Sequence, residues 1–186
     1  DAYAPLLRPA AGPWPARSLA IEPLSPAYTS VLESHGSLDR ITDPITLSSG
    51  PLAPAGGTKD PARRPDRWFV VHSGSREECD MLIGRARDLM RERGQDPGEL
   101  TVLDPQAGIY PAERMLDSCS HLVTAGGYNS AALGRRLGAH LNHHLFPFER
   151  RFDDQDERCR RIREGAWLTG DKDGARQAAD WLGSAE

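Results

Sequence analysis

No stretch of this chain approaches the roughly 18 consecutive apolar residues that a membrane-spanning helix needs. Nor does a basic, apolar leader precede a small-residue cleavage site, so a cytoplasmic location is expected. Cysteine is scarce: Cys79, Cys119 and Cys159 are odd in number and far apart. No pair has metal-ligand spacing, which points to reduced thiols and sets aside a disulfide scaffold. Cys119 and Cys159 read as small apolar residues. Basic excess is also missing. The net charge of −4 argues against a nucleic-acid partner, whose phosphates demand a basic face. Only Lys59 and Lys172 are lysines, leaving arginine to carry the positive charge.

Proline is abundant but unevenly placed. Eleven of the 15 prolines lie in the first 65 residues. The sequence therefore divides into a proline-rich arm and linker, residues 1–65, and an ordered domain, residues 66–186. Proline fixes φ and removes a donor, so residues 5–15 cannot hold a helix or a central strand. Within the arm, residues 18–21 and 45–47 read as short strands. Residues 26–36 read as one helix, with Pro26 near its first turn and Gly36 as its stop. Residues 48–65 read as a linker.

From residue 67 strands alternate with helices. The expected strands are 68–72, 100–103, 121–124 and 139–145, with a short edge strand at 167–168. The expected helices are 76–93, 111–118, 130–137, 154–164 and 173–182. In the first of these, Cys79, Leu82, Ile83, Ala86, Leu89 and Met90 recur at helical spacing, and Gly94 closes it. Alternation of this length predicts an α/β fold with a doubly wound parallel sheet.

Two turns stand out. The apolar run 121–124 leads into Gly126-Gly127-Tyr128-Asn129-Ser130, a glycine turn opening a helix on small polar residues. A helix N-terminus there offers backbone N–H groups and the positive end of a dipole, suited to an anion such as phosphate. The first strand ends in Ser73-Gly74-Ser75, where Ser75 and Glu78 also fit a capping box. Downstream, Phe146-Pro147-Phe148 precedes Asp153-Asp154-Gln155, and the two aspartates also fit a helix N-cap.

With the Leu137-Gly138 helix end, these motifs in this order resemble the C-terminal, donor-binding domain of GT-B glycosyltransferases. The likeness covers about residues 67–165. The nearest pattern is that of the family 28 enzymes that add N-acetylglucosamine to the undecaprenyl-linked peptidoglycan precursor. The resemblance implies a Rossmann-like domain that binds a nucleotide-diphospho-sugar, with UDP-N-acetylglucosamine the type expected, for transfer to an acceptor hydroxyl. By resemblance, Gly126, Gly127, Tyr128, Asn129 and Ser130 hold the donor pyrophosphate, and Ser73 and Gly74 form the opposite wall. Asp154 and Gln155 bind sugar hydroxyls, and Ile109 and Tyr110 frame the base. No catalytic residue can be named, because the family's base lies in an N-terminal, acceptor-binding domain.

The resemblance further implies that the chain is the last part of a two-domain protein, or a split subunit, which touches a membrane only through its acceptor. No metal, covalent nucleophile or cofactor is demanded. Two departures from the family pattern stand out. Leu133 occupies the place of the glutamate that takes the ribose hydroxyls, and Gly138-Ala139-His140 replaces a Gly-x-Pro. The alternatives are a non-catalytic relative that serves as an interaction or regulatory domain, and a sugar-nucleotide epimerase of the same fold. Two polar groups carry their own alternatives. His140, Asn142 and His144 share one strand face, which fits a polar strand, a subunit contact or a metal lacking further ligands. Arg150 and Arg151 fit a solvated loop, or contact with phosphate or lipid headgroups.

Overall fold

The structure is a computed structural model. It describes residues 16–24, 26–42, 45, 66–103, 112, 115–116, 119–137, 141–150, 153–168 and 174–184. The chain divides into two compact units, Ser48–Phe148 and Asp1–Leu47 with Glu149–Glu186. Each of the two sheets pairs its strands entirely within one unit.

The larger sheet belongs to the unit Ser48–Phe148. Its strands are β3 (Trp68–Val71), β4 (Thr101–Leu103), β5 (His121–Ala125) and β6 (Asn142–Phe146). They run parallel in the order β4-β3-β5-β6. The central strands β3 and β5 are short apolar runs, as parallel strands covered on both faces must be. Alternation along each strand sends side chains to opposite faces. Trp68, Val70 and Val123 pack with Leu82, Ala86 and Met90 of α2 (Arg76–Glu92). Phe69 and Leu122 pack with Leu137 of α3 (Tyr128–Leu137) and with Leu116. Helices α2 and α3 therefore cover opposite faces, as a sheet wound outward in both directions from β3 requires. The expected mixed α/β architecture with a parallel sheet is observed.

Local signals explain the ends of α2. Ser75 caps its start, accepting a hydrogen bond from the Glu78 N–H at 3.3 Å. Gly94 follows its end with φ +70°, a conformation that costs glycine little. Helix α3 starts at Tyr128, two residues earlier than its sequence suggests, and β6 starts at Asn142. A 3-10 turn at Pro97–Glu99, capped by Asp96, adds an element that the sequence pattern does not predict. Of the expected helix at 111–118, residues 112, 115 and 116 are described, and all three lie in 3-10 turns.

The other unit is also α/β. Inside the segment read as a proline-rich arm, β1 (Arg17–Ala20), α1 (Pro26–His35) and β2 (Ser37–Arg40) form a βαβ unit with the two strands parallel. Arg17 and Asp39 lie on one face of this pair. Asp39 accepts from Trp181 Nε1 at 2.7 Å, and Arg17 donates to the Ser184 carbonyl at 3.1 Å, so α5 (Gly174–Gly183) covers that face. Arg40, on the other face, pairs with Glu33 of α1 at 2.9 Å. The remaining helix, α4 (Gln155–Arg163), is capped by Asp154 and closed by Gly165 at φ +68°.

The edge strand expected at residues 167–168 is absent. Leu168 has φ +42°, outside the extended region, and Trp167 is buried with its indole N–H donating to Glu22 at 3.2 Å. Of the strand expected at 45–47, Ile45 is described and is not in a strand, and the rest lies outside the described residues. All three cysteines are buried.

Candidate functional site

In an open parallel sheet, ligands bind beyond the carboxyl ends of the strands where the winding reverses. Here β3 connects through α2 to β4 on one side, while β5, its neighbour on the other side, connects through α3 to β6. The reversal therefore falls between β3 and β5. These two strands pair in register from Trp68↔His121 to Val71↔Thr124, so they end side by side. Ser73-Gly74-Ser75 follows the end of β3, and Gly126-Gly127 follows the end of β5. The sequence-predicted residues Ser73, Gly74, Gly126, Gly127, Tyr128, Asn129 and Ser130 are thus gathered at one edge of one sheet.

The Gly127 carbonyl accepts from the Ala131 N–H at 3.0 Å, the first helical bond of α3. The N–H groups of its first turn precede that ladder and point along the axis toward the strand ends. Asn129 is exposed there, Gly127, Tyr128 and Ser130 are half-buried, and Gly126 is buried. No acidic side chain occupies the first turn of α3 to compete with an anion.

Two residues at this edge do not stand out from sequence. His72 is buried just past the end of β3, and its Nε2 meets Glu78 Oε2 at 2.9 Å. Its ring lies 5.8 Å from that of Phe148, tilted by 53°. Gly74 makes room for the pair, since a Cβ there would collide with both His72 Nε2 and Glu78 Oε2. The available sequence signal is a histidine ending the strand and a glutamate one turn into the helix, with glycine between. On sequence alone the Glu78 carboxylate reads as a capping-box partner and nothing more.

Asp154 and Gln155 belong to the other unit. Asp154 Oδ1 accepts from the Glu157 N–H at 3.0 Å as the cap of α4, the alternative its sequence allowed. Gln155 is buried, and its amide donates to Asp153 Oδ2 at 3.0 Å. Beside them the buried Arg158 guanidinium donates to Glu22 at 2.6 and 2.7 Å and also to Asp153. Burial alone would lower its pKa, but the two carboxylates raise it instead. Hydrogen bonds from Arg160 and then Arg161 hold Glu157 down at about 2. Glu22, Asp153, Asp154, Glu157, Arg158 and Arg161, with Pro23, Leu24, Tyr28 and Trp167, line a cavity of about 120 Å³. The charges along its wall are already matched within the protein, as structural ion networks are.

Leu133 packs against the core cluster on the α3 face of the sheet. Ile109, Tyr110, His140 and Arg151 lie outside the described residues. Among the described residues, no group of three or more His, Cys, Asp or Glu side chains is arranged to hold a metal. No described helix is long and apolar enough to cross a membrane. No protein-family model, curated protein or solved structure matches this chain.

Proposed function

We propose that the edge between β3 and β5 binds the diphosphate of a nucleotide-sugar, as the donor half of a glycosyltransferase. The observation that carries this reading is the position of the two glycine turns. They follow adjacent parallel strands at the one place where the winding reverses, and the second opens onto a helix N-terminus. Each first-turn N–H is suited to a phosphate oxygen, and the helix dipole favours the charge by about 0.3–1 kcal/mol or more when water is excluded. Acceleration would come from holding donor and acceptor together and from stabilising charge on the departing diphosphate. The acceptor side, and the base that takes its hydroxyl proton, would come from another domain or subunit.

A second reading, a non-catalytic relative of the fold, is favoured by Leu133. A side chain committed to the core gives a ribose no carboxylate. Calorimetric titration of the full chain with UDP, UDP-N-acetylglucosamine and GDP, repeated on Gly127→Val, separates the two. Saturable UDP binding that Gly127→Val abolishes supports the donor site. No binding by folded protein up to millimolar nucleotide sinks it and leaves the second reading.

A further inference from the structure

β6 closes one end of the sheet, and among the described residues its ladder partner is β5 alone. It carries adjacent histidines whose side chains go to opposite faces. On the α3 face, His143 Nε2 lies 2.8 Å from Thr124 Oγ1, and Thr124 gives its own proton to the Ala125 carbonyl at 2.9 Å. His143 Nε2 must therefore be the donor, which leaves Nδ1 bare in the neutral ring. That nitrogen faces Gly134 so closely that a Cβ there would land on it. Gly134 has no side chain to accept a proton placed on Nδ1.

On the other face, His144 Nε2 meets His121 Nδ1 at 3.2 Å. The ring centroids are 5.5 Å apart, which is the nitrogen separation plus one ring radius at each end, and the planes differ by 16°. The two imidazoles meet head to head. Both lie nearly parallel to the Trp68 indole, at 4.0 and 5.1 Å. His121 Nε2 donates to Asp66 Oδ1 at 2.7 Å, so its Nδ1 is the acceptor and His144 Nε2 the donor. One added proton can be shared across this contact, but a proton on each ring would set two N–H groups and two positive charges against each other. The charged groups bearing on the pair are Asp66 at the head of β3, which favours a proton on His121, and Arg93 at the end of α2, which opposes one on either ring. His144 is the charged neighbour of His143, while Thr124 and Gly134, packed against that ring, are neutral.

We propose that β6 is an acid-released edge strand, docked only while His143 is neutral and His121 and His144 are not both charged. Proton uptake by His143, or by both rings of the His121–His144 pair, loosens this strand from β5 while β3 and β5 stay paired. The inference is independent of the nucleotide reading.

Amide hydrogen exchange of the full chain between pH 7.5 and 4.5, corrected for intrinsic exchange, tests it. Protection of residues 142–146 should fall by roughly tenfold per pH unit for each proton taken up, before protection in β3 changes. His143→Gln and His144→Gln, which keep an amide donor near Nε2, should each lower that slope. The proposal is overturned if β6 and β3 lose protection together, or if β6 holds to the global transition. It is also overturned if both variants fold and keep the wild-type slope. Should the variants not fold, the wild-type comparison of β6 with β3 still decides.

Discussion

Gly134 and His143 meet so closely that the absence of a side chain on the helix residue is what lets the strand residue fit. Alanine is normally better than glycine inside a helix by about 1 kcal/mol. At Gly134 the added methyl must push His143 away, and overpacking of this kind costs about 1–3 kcal/mol. Gly134→Ala should therefore lower stability by up to about 2 kcal/mol net in denaturant unfolding. Adding His143→Ala should give a double variant less destabilised than the two single losses summed.

The same logic applies just past the end of β3. Gly74→Ala has to part His72 from Glu78, because both occupy the space its Cβ would take. Glu78 is a flexible partner and can swing aside, so the expected loss is about 1 kcal/mol. His72→Ala should cost a similar amount, and the two changes combined should fall short of additivity in a thermal or denaturant cycle.

Stability should decline on the acid side of neutrality. Burial, then the neighbouring charge of His144, holds His143 at about 4, below its ordinary 6.5. Burial, then His121 and Arg93, does the same to His144. A folded-state pKa below the unfolded value means that the unfolded chain binds the proton first. The folded state therefore loses ground as pH falls from 6.5 toward 4, and the loss levels off below that. For the half-buried His143 the full effect is at most about 3 kcal/mol. Glu157 has the opposite placement in pH. Its depressed pKa, about 2 through Arg160 and Arg161, keeps its contribution until the pH drops below the ordinary 4.5. Urea unfolding measured from pH 7.5 to 4 should show the histidine decline, and His143→Gln should remove a large part of it.

Around Arg158 the two ways of breaking the ion pairs should differ in cost. Removing the carboxylates leaves a guanidinium that is only 4% exposed, whereas Glu22 and Asp153 are 22% and 33% exposed and can take up water. The double variant Glu22→Ala with Asp153→Ala should lose about 3 kcal/mol or more, while Arg158→Met should lose about 1–2 kcal/mol. Equal losses in chemical denaturation would mean that the cation is not the more deeply desolvated partner.

The main sheet was largely legible because periodicity and punctuation agreed. The helical spacing of Cys79, Leu82, Ala86 and Met90, the Ser75 cap and Gly94 all point to one helix, and α2 is that helix. Strand β2 was missed because Ser37-Leu38-Asp39-Arg40 is polar and mostly exposed, with no apolar alternation to betray it. Trp167 and Leu168 misled in the opposite sense, since an apolar pair can be buried by a loop as well as by a strand. The two glycine turns could be read, but their meeting at one sheet edge depends on strand order. The head-to-head contact of His121 with His144 depends on register, and 23 residues separate the partners. Sequence placed Asn142 and His144 on a common strand face. It held no sign that Trp68 and His121 would be waiting there.

The buried cysteines turn the chain into its own reporter. Burial pushes the Cys119 thiol up to about 12 and Cys159 above its usual range, so neither offers a thiolate to an alkylating reagent near neutrality. Cys79 and Cys119 sit in the four-stranded unit, Cys159 in the other. The order in which iodoacetamide marks them, read by peptide mass, would therefore time the opening of each half of the molecule without any introduced label.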